Sequence, residues 1–141
     1  MATDRKTYRL DDQIGYLLRL ANQRHTAIFQ HHTVAGLTPT QFAALVRIAE
    51  RGECSQNQLG RLTSMDVATI KGVVDRLRRK DLVSLSPDPR DRRRTVIRLT
   101  EKAAAMIDRL HAVGGDISDE TLRPLTDSEK TRLIRILKKI C

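Results

Sequence analysis

Two neighbouring stretches decide the fold: MDVATIKGVVDRLRRK, Met65–Lys80, and DPRDRRRTVIRLT, Asp88–Thr100. In the second, Arg90, Arg92, Arg93 and Arg94 crowd into five positions, behind a proline-set turn and ahead of a β-branched run. Residues Leu82–Ser86 and Thr95–Leu99 read as strands, with Pro87–Arg94 a turn-rich loop between them, so this region predicts a basic β-hairpin. In the first stretch Asp66 is placed to cap a helix that runs to Lys80. Its buried stripe is Val67, Ile70, Val73, Val74 and Leu77; Ala68, Thr69, Lys71, Gly72, Asp75 and Arg78 fall on the other side.

Working outward, Ser55-Gln56-Asn57-Gln58 is a capping box, and Leu59 and Leu62 supply the apolar side of a short helix before it. Thr63, Ser64 and Met65 make a tight turn. A short helix, a three-residue turn and a basic second helix form a helix-turn-helix, and the hairpin that follows is its wing. Upstream, Thr38-Pro39-Thr40-Gln41 gives a second capping box with proline at the first helical position, Leu37 and Phe42 spaced as a hydrophobic staple, and a helix ending near Gly52. Before that, Leu10, Ile14, Leu17, Leu18, Ala21 and Ile28 fall on one face of a long first helix, Leu10 to about His31.

Downstream, Thr100-Glu101 caps a helix through Ala103, Met106, Ile107, Leu110 and Val113. Gly114-Gly115 costs about 2 kcal/mol against two alanines, so this helix is expected to end, kink or fray there. Thr126 to Glu129 forms a third capping box and opens a last helix carrying Leu133, Ile136, Leu137 and Ile140.

The charge follows the same map. The 141-residue chain carries 26 Lys and Arg against 17 Asp and Glu, a net +9. Between Lys71 and Arg98 stand ten basic and four acidic residues, so six of those nine charges lie in a fifth of the chain. A basic cluster on a helix-turn-helix and its wing points to a polyanion, and DNA is the polyanion this geometry suits. The core has to be aliphatic, because only 3% of residues are aromatic and Trp is absent. No run reaches the roughly 18 apolar residues of a membrane span, and MATDRKTYRLDDQ lacks the apolar core of a signal peptide, so a cytoplasmic protein with no membrane partner is expected. Cys54 and Cys141 have no metal-site or redox spacing and read as bystanders.

The expected fold class is mainly α with a small β component, in two parts. Residues 37–99 form the winged helix-turn-helix domain; residues 1–36 and 100–141 form a helical dimerisation region drawn from both termini. The apolar faces of that region need cover, and a second copy covers both at once. A symmetric homodimer also sets two recognition helices about 34 to 36 Å apart, one turn of DNA.

With these elements in this order the chain resembles the MarR family of bacterial transcriptional regulators. The likeness rests on Leu37-Thr38-Pro39-Thr40-Gln41-Phe42, Val74-Asp75-Arg76-Leu77, Asp88-Pro89-Arg90-Asp91-Arg92-Arg93 and Leu99-Thr100-Glu101-Lys102-Ala103, and it spans nearly the whole chain. In general character the chain is also similar to repressors of nicotinate degradation, a likeness carried by no single motif. Asp81 stands where the family usually has glycine, and the first helix lacks the cysteine near its start that peroxide-sensing members use.

The resemblance implies a ligand-responsive repressor on a pseudo-palindromic DNA operator. It implies that Asp91 pairs with Arg93 to brace the wing while Arg90 and Arg92 reach the minor groove or its phosphates. Arg94 suits either role. In the helix-turn-helix, Thr69 and Lys71 are candidates for base or phosphate contact, Ala68 and Gly72 permit close approach, and Arg78 adds charge. Ser55, Gln56 and Ser64 are placed to donate to phosphates, although capping explains Ser55 equally well. Family members bind small aromatic acids, so a small aromatic carboxylate effector is expected, with Tyr16, Arg19, His25, Phe42 and Arg47 as candidate contacts. No cofactor and no metal is expected: His25, His31, His32 and His111 are poorly clustered, and adjacent His31 and His32 do not share one helical face. An enzyme is disfavoured, since no Gly-rich phosphate loop, nucleophile elbow or HExxH occurs. The competing readings are a sequence-nonspecific architectural DNA protein and a metal- or redox-responsive regulator of the same fold.

Overall fold

The computed structural model describes residues 7–32 and 34–141. Residues 1–6, part of the segment read above for a signal peptide, and Thr33 lie outside the described residues. A short 3-10 turn, Leu10–Asp12, precedes α1 (Ile14–His32), α2 (Pro39–Arg51), α3 (Gln56–Leu62) and α4 (Val67–Arg79). Then come β1 (Val83–Asp88), β2 (Asp91–Leu99), α5 (Glu101–Ala104), α6 (Ile107–Leu122) and α7 (Asp127–Ile140). Two compact units result, one of residues 33–116 and one of residues 1–32 with 117–141.

The three capping boxes form where the sequence places them, at Thr38/Gln41, Ser55/Gln58 and Thr126/Glu129, and each supplies two of the backbone partners that a helix start lacks. Within the 33–116 unit an aliphatic core gathers Leu45 and Ile48 of α2, Leu59 of α3, Ile70, Val74 and Leu77 of α4, and Leu82 and Ile97 at the base of the hairpin. Ala103 and Leu110 are fully buried in the same core, with Met106, Ile107 and Val113 packed against it. That packing carries the unit past Thr100 to residue 116.

Helix α3 turns into α4 through two bonds that close its C-terminus: Met65 N–H to Gly60 O at 2.8 Å and Ser64 N–H to Arg61 O at 3.3 Å. This pair is a Schellman motif, and it puts Ser64 in the left-handed region at φ 55°. The helices approach closely because Gly60 has no side chain. A Cβ there would stand 3.1 Å from Met65 O and 3.3 Å from Ile70 Cγ2. Helix α4 ends the same way, with Leu82 N–H bonded to Leu77 O and Asp81 N–H to Arg78 O, both at 3.0 Å, and Asp81 at φ 59°. Aspartate therefore does hold the position where glycine is the family habit. Thr100 Oγ1 donates to Asp81 O at 2.7 Å and Lys102 Nζ to Lys80 O at 3.2 Å, which satisfies carbonyls at the helix end.

Four expectations need correction. The first helix begins at Ile14, since Leu10–Asp12 forms a separate 3-10 turn. The hairpin loop is far tighter than Pro87–Arg94: the strands pair as far as Asp88 opposite Asp91, leaving Pro89 and Arg90 as the turn. A register irregularity between Pro87 and Asp88 absorbs the extra residues of β2. Val67 is not buried, because it lies one turn closer to the helix start than the Gly60–Ile70 contact and so overhangs the core. Finally, the helix after Thr100 breaks at Ala105 and Met106, where Met106 N–H bonds back to Ala103 O, and α6 then continues unbroken through Gly114 and Gly115. The reason is packing: a Cβ on Gly114 would lie 3.1 Å from Phe42 Cζ, so the glycine lets α6 lie close to that ring.

The unit of residues 1–32 and 117–141 is held by polar contacts between the C-terminal part of α1 and the end of α6. The Arg24 guanidinium donates to the carbonyl oxygens of Thr121 and Glu120, His25 Nδ1 meets Thr121 Oγ1 at 2.8 Å, and His32 pairs with the Glu120 carboxylate. The His32 hydrogen bond, with charges nearby, lowers the Glu120 pKa from its ordinary value. The rings of His31 and His32, the last two residues of α1, stand edge to face with centres 5.5 Å apart. Toward the other end of α1, Ile14, Leu17 and Leu18 remain exposed, as do Ile134, Ile136 and Ile140 of α7.

Two substitutions test this account by urea denaturation. Gly60→Val forces atoms into the α3–α4 contact and is expected to cost roughly 1–3 kcal/mol. Asp81→Gly relieves the left-handed backbone and is expected to raise stability by about 1 kcal/mol. A neutral Gly60→Val would show that the two helices have slack between them.

Candidate nucleic-acid interface

The wing is ordered by its acids. Asp88 Oδ1 accepts the Arg90 N–H at 2.9 Å, and Asp91 Oδ1 accepts the Arg93 N–H at 3.0 Å. Asp91 therefore meets Arg93 through the main chain, and the guanidinium is left out of the contact. Both carboxylates shape the turn, and Arg90, Arg92, Arg93 and Arg94 are all exposed. Among the described residues none of the four arginines forms an ion pair.

Other positive charges of the same region are engaged. Arg98 Nε donates to Glu53 Oε2 at 2.6 Å. Lys80 Nζ is held by Gly36 O at 2.9 Å and by Gln41 Oε1 at 3.1 Å. Lys71 Nζ lies 3.5 Å from Asp75 Oδ2, an exposed pair of small energetic weight. Among the described residues Arg76, Arg78 and Arg79 of α4 form no ion pair, and all three are exposed. From sequence Arg76 ranks below the other candidates as a structural partner of Asp75, but Asp75 pairs with Lys71; Arg79 is not singled out, although the helical repeat from Ala68 and Gly72 places both arginines toward the outward face.

The helix-turn-helix residues sort as follows. Ser55 Oγ accepts the Gln58 N–H at 3.2 Å while Gln58 Oε1 accepts the Ser55 N–H at 3.0 Å, so capping occupies this pair. Ser64 is the left-handed residue of the turn. Ala68, Thr69, Lys71 and Arg78 are exposed on α4, and Gly72 is half-buried with the Arg76 guanidinium lying over it. The α4 start is rigidly set: Asp66 Oδ1 accepts the Thr69 N–H at 2.7 Å, and this bond holds the carboxyl below its usual pKa.

Residues of the wing and of the start of α3 border common clefts. Arg94 and Ser55 border two of them. One, of about 440 Å³, also takes in Arg51, Gln58, Asp88 and Arg90; the other, of about 330 Å³, takes in Gln56, Asn57 and Arg93. Candidates Ser55, Gln56, Arg90 and Arg94 are thus neighbours, whereas Arg92 lines neither cleft. Asn57 was missed, although its place inside the Ser55–Gln58 capping box marks it as fixed and outward. Cys54 explains part of the arrangement. Its N–H bonds to Ile97 O at 3.2 Å and its carbonyl accepts the Ile97 N–H at 2.8 Å, tying the segment before α3 to β2. Burial pushes its thiol pKa up, away from the reactive thiolate.

The candidate effector residues are divided between the two units. Tyr16 and Arg19 stack, with the guanidinium carbon 5.4 Å from the ring centre. His25, on the same helix about 13 Å further along, is bound to Thr121. In the other unit Phe42 and Arg47 border a cleft of about 440 Å³ with Val46 and Leu62. Arg47 is already engaged there, by Leu62 O at 2.9 Å and Glu50 Oε2 at 2.8 Å. Among the described residues no group of three or more His, Cys, Asp or Glu side chains is placed to hold a metal ion. No helix among them is long and apolar enough to cross a membrane.

Comparison with known proteins agrees with this geometry. The MarR family model matches residues 37–95. The HTH-type transcriptional repressor NicR of Pseudomonas putida is 41% identical over 138 residues, which is 97% of this chain and 87% of that protein. A probable transcriptional regulator from Pseudomonas aeruginosa superposes with a TM-score of 0.91 at 49% identity, over 94% of this chain and 100% of its own. BpsR of Bordetella bronchiseptica, whose DNA binding is regulated by 6-hydroxynicotinic acid, superposes with a TM-score of 0.88 at 34% identity, over 94% of this chain and 96% of its own. On the strength of a helix-turn-helix, an arginine wing and relatives matched over nearly its full length, the chain belongs to the MarR family of transcriptional regulators.

Proposed function

We propose that this regulator acts in the cytoplasm as a homodimeric repressor, held on a pseudo-palindromic operator by its helix-turn-helix and wing and released by a small aromatic carboxylate. The observation that carries the DNA-binding part is the wing: four exposed arginines on an ordered hairpin, with the nearby carboxylates spent on backbone N–H groups. A surface so charged gains free energy by displacing counterions from phosphates. Repression then needs no catalytic group, only occupancy of the promoter.

The second copy is assigned to the exposed apolar ends of α1 and α7, where Ile14, Leu17, Leu18, Ile136 and Ile140 would otherwise face water. The effector class rests on the likeness to BpsR and its 6-hydroxynicotinic acid. A planar anion of that kind asks for an aromatic surface and a cation, and Tyr16 with Arg19, His25, and Phe42 with Arg47 are the groups that offer them. Release requires only that the effector bind the DNA-incompetent arrangement more tightly, by about 1.4 kcal/mol for each tenfold loss of occupancy.

The test begins with an operator selected in vitro from random duplexes by the purified protein. Selected DNA is expected to outcompete random DNA by on the order of a thousandfold, where an architectural protein would bind both alike. Arg92→Ala is expected to weaken operator binding and to lower the salt dependence by about one counterion per protomer. Addition of 6-hydroxynicotinic, nicotinic, benzoic or salicylic acid to the complex is expected to release the DNA with at least one of them; full retention with all four would remove aromatic carboxylates as the effector class.

A further inference from the structure

The first turn of α4 carries a valine that packing does not account for. Val67 is 71% exposed, whereas Ile70, Val73, Val74 and Leu77, which anchor the helix, are buried. Valine is also a weaker helix former than alanine, so the position gains nothing from secondary structure. Its neighbours on α4 are small: Ala68 beside it is exposed and Gly72 has no side chain. Val67 borders a cleft of about 250 Å³ whose wall is part apolar, with Gly60, Met65 and Ile70, and part polar, with Asn57, Arg61 and Asp66.

On α4 itself the hydrogen-bonding groups near Val67 are few. Lys71 is paired with Asp75, and the Arg76 guanidinium lies over Gly72. Thr69 is the remaining polar side chain of the first turn. That turn is held in a single geometry by the Asp66 cap, so whatever Val67 presents is presented at a fixed place.

In a helix-turn-helix the N-terminal residues of the second helix meet base edges in the major groove. Those edges display donors, acceptors and one apolar group, the C5-methyl of thymine. An aliphatic side chain can recognise only the last. Resting on the reading of this chain as an operator-binding regulator, we infer that Val67 is a specificity-determining residue that packs its isopropyl group on a thymine methyl in each half-site.

The test removes the methyl from the DNA. In the selected operator each thymine is replaced in turn by deoxyuridine, which keeps every hydrogen-bonding group and loses only the methyl, and affinities are measured by anisotropy with wild-type protein and with Val67→Ala. One symmetric pair of positions is expected to stand out. Wild type should lose about fourfold for one substituted half-site and about fifteenfold for both, at about 0.8 kcal/mol for each buried methyl. Val67→Ala, at an exposed site where folding is not at stake, should bind the thymine and deoxyuridine operators equally. The inference is overturned if no thymine is sensitive, or if Val67→Ala keeps the same discrimination. A wild-type protein that selects no sequence at all overturns the operator reading and this inference with it, whereas one that selects an operator but ignores every methyl overturns this inference alone.

Discussion

Helices α3 and α4 cross so closely that a side chain at their contact would be crowded, and the residue at that place is Gly60. A Cβ there would stand 3.1 Å from Met65 O and 3.3 Å from the Ile70 side chain, a crowded contact that a neighbour would have to yield to relieve. The Schellman closure through Ser64 then aims α4, the Asp66 cap starts it, and Ile70, Val74 and Leu77 bury its inner stripe. Everything that faces outward on this helix is placed by those inward contacts. The hairpin depends on the same packing, because Leu82 and Ile97 at its base are fully buried in that core and Cys54 pairs with Ile97.

The electrostatics follow from how the acids are used. Asp66, Asp88 and Asp91 accept backbone N–H groups, and Glu53 binds Arg98. These carboxylates keep their charge, but among the described residues none of them forms an ion pair with Arg90, Arg92, Arg93 or Arg94, and the four arginines repel one another in the free protein. In water that repulsion is small, about 1 kcal/mol for a pair at 4 Å, and a folded hairpin tolerates it. Against a phosphate backbone the same charges become favourable through counterion release. Net charge alone therefore understates the design: free charge is concentrated on the wing and α4, while Lys80 and Arg98 serve the fold.

The unit formed by residues 1–32 and 117–141 divides its labour along α1. Near His32 the helix is tied to α6 by Arg24, His25 and His32, so that end is satisfied within one chain. Near Ile14 it shows leucine and isoleucine to water. Small apolar exposures are ordinary on a protein surface, but a stripe on α1 together with another on α7 is a surface awaiting cover.

Local chemistry made most of this legible. Capping boxes, the helix-turn-helix spacing, the hairpin and the capacity of Asp81 to take glycine's place could all be read from residues alone, since each depends on hydrogen bonds and backbone preferences within a few positions. The likeness to a regulator family rested on the same short motifs. What the sequence hid depends on neighbours far along the chain. Gly114 and Gly115 read as a helix end until Phe42 supplied a reason for the first of them; Val67 read as core because helical periodicity cannot show where the neighbouring helix stops. Arg98 counted as free charge until Glu53 came within reach, and nothing local showed that the backbone of Cys54 pairs with β2. Short-range propensity determined the elements. Only tertiary packing decided which of their side chains are buried, which charges are already engaged, and which residues are left to meet DNA.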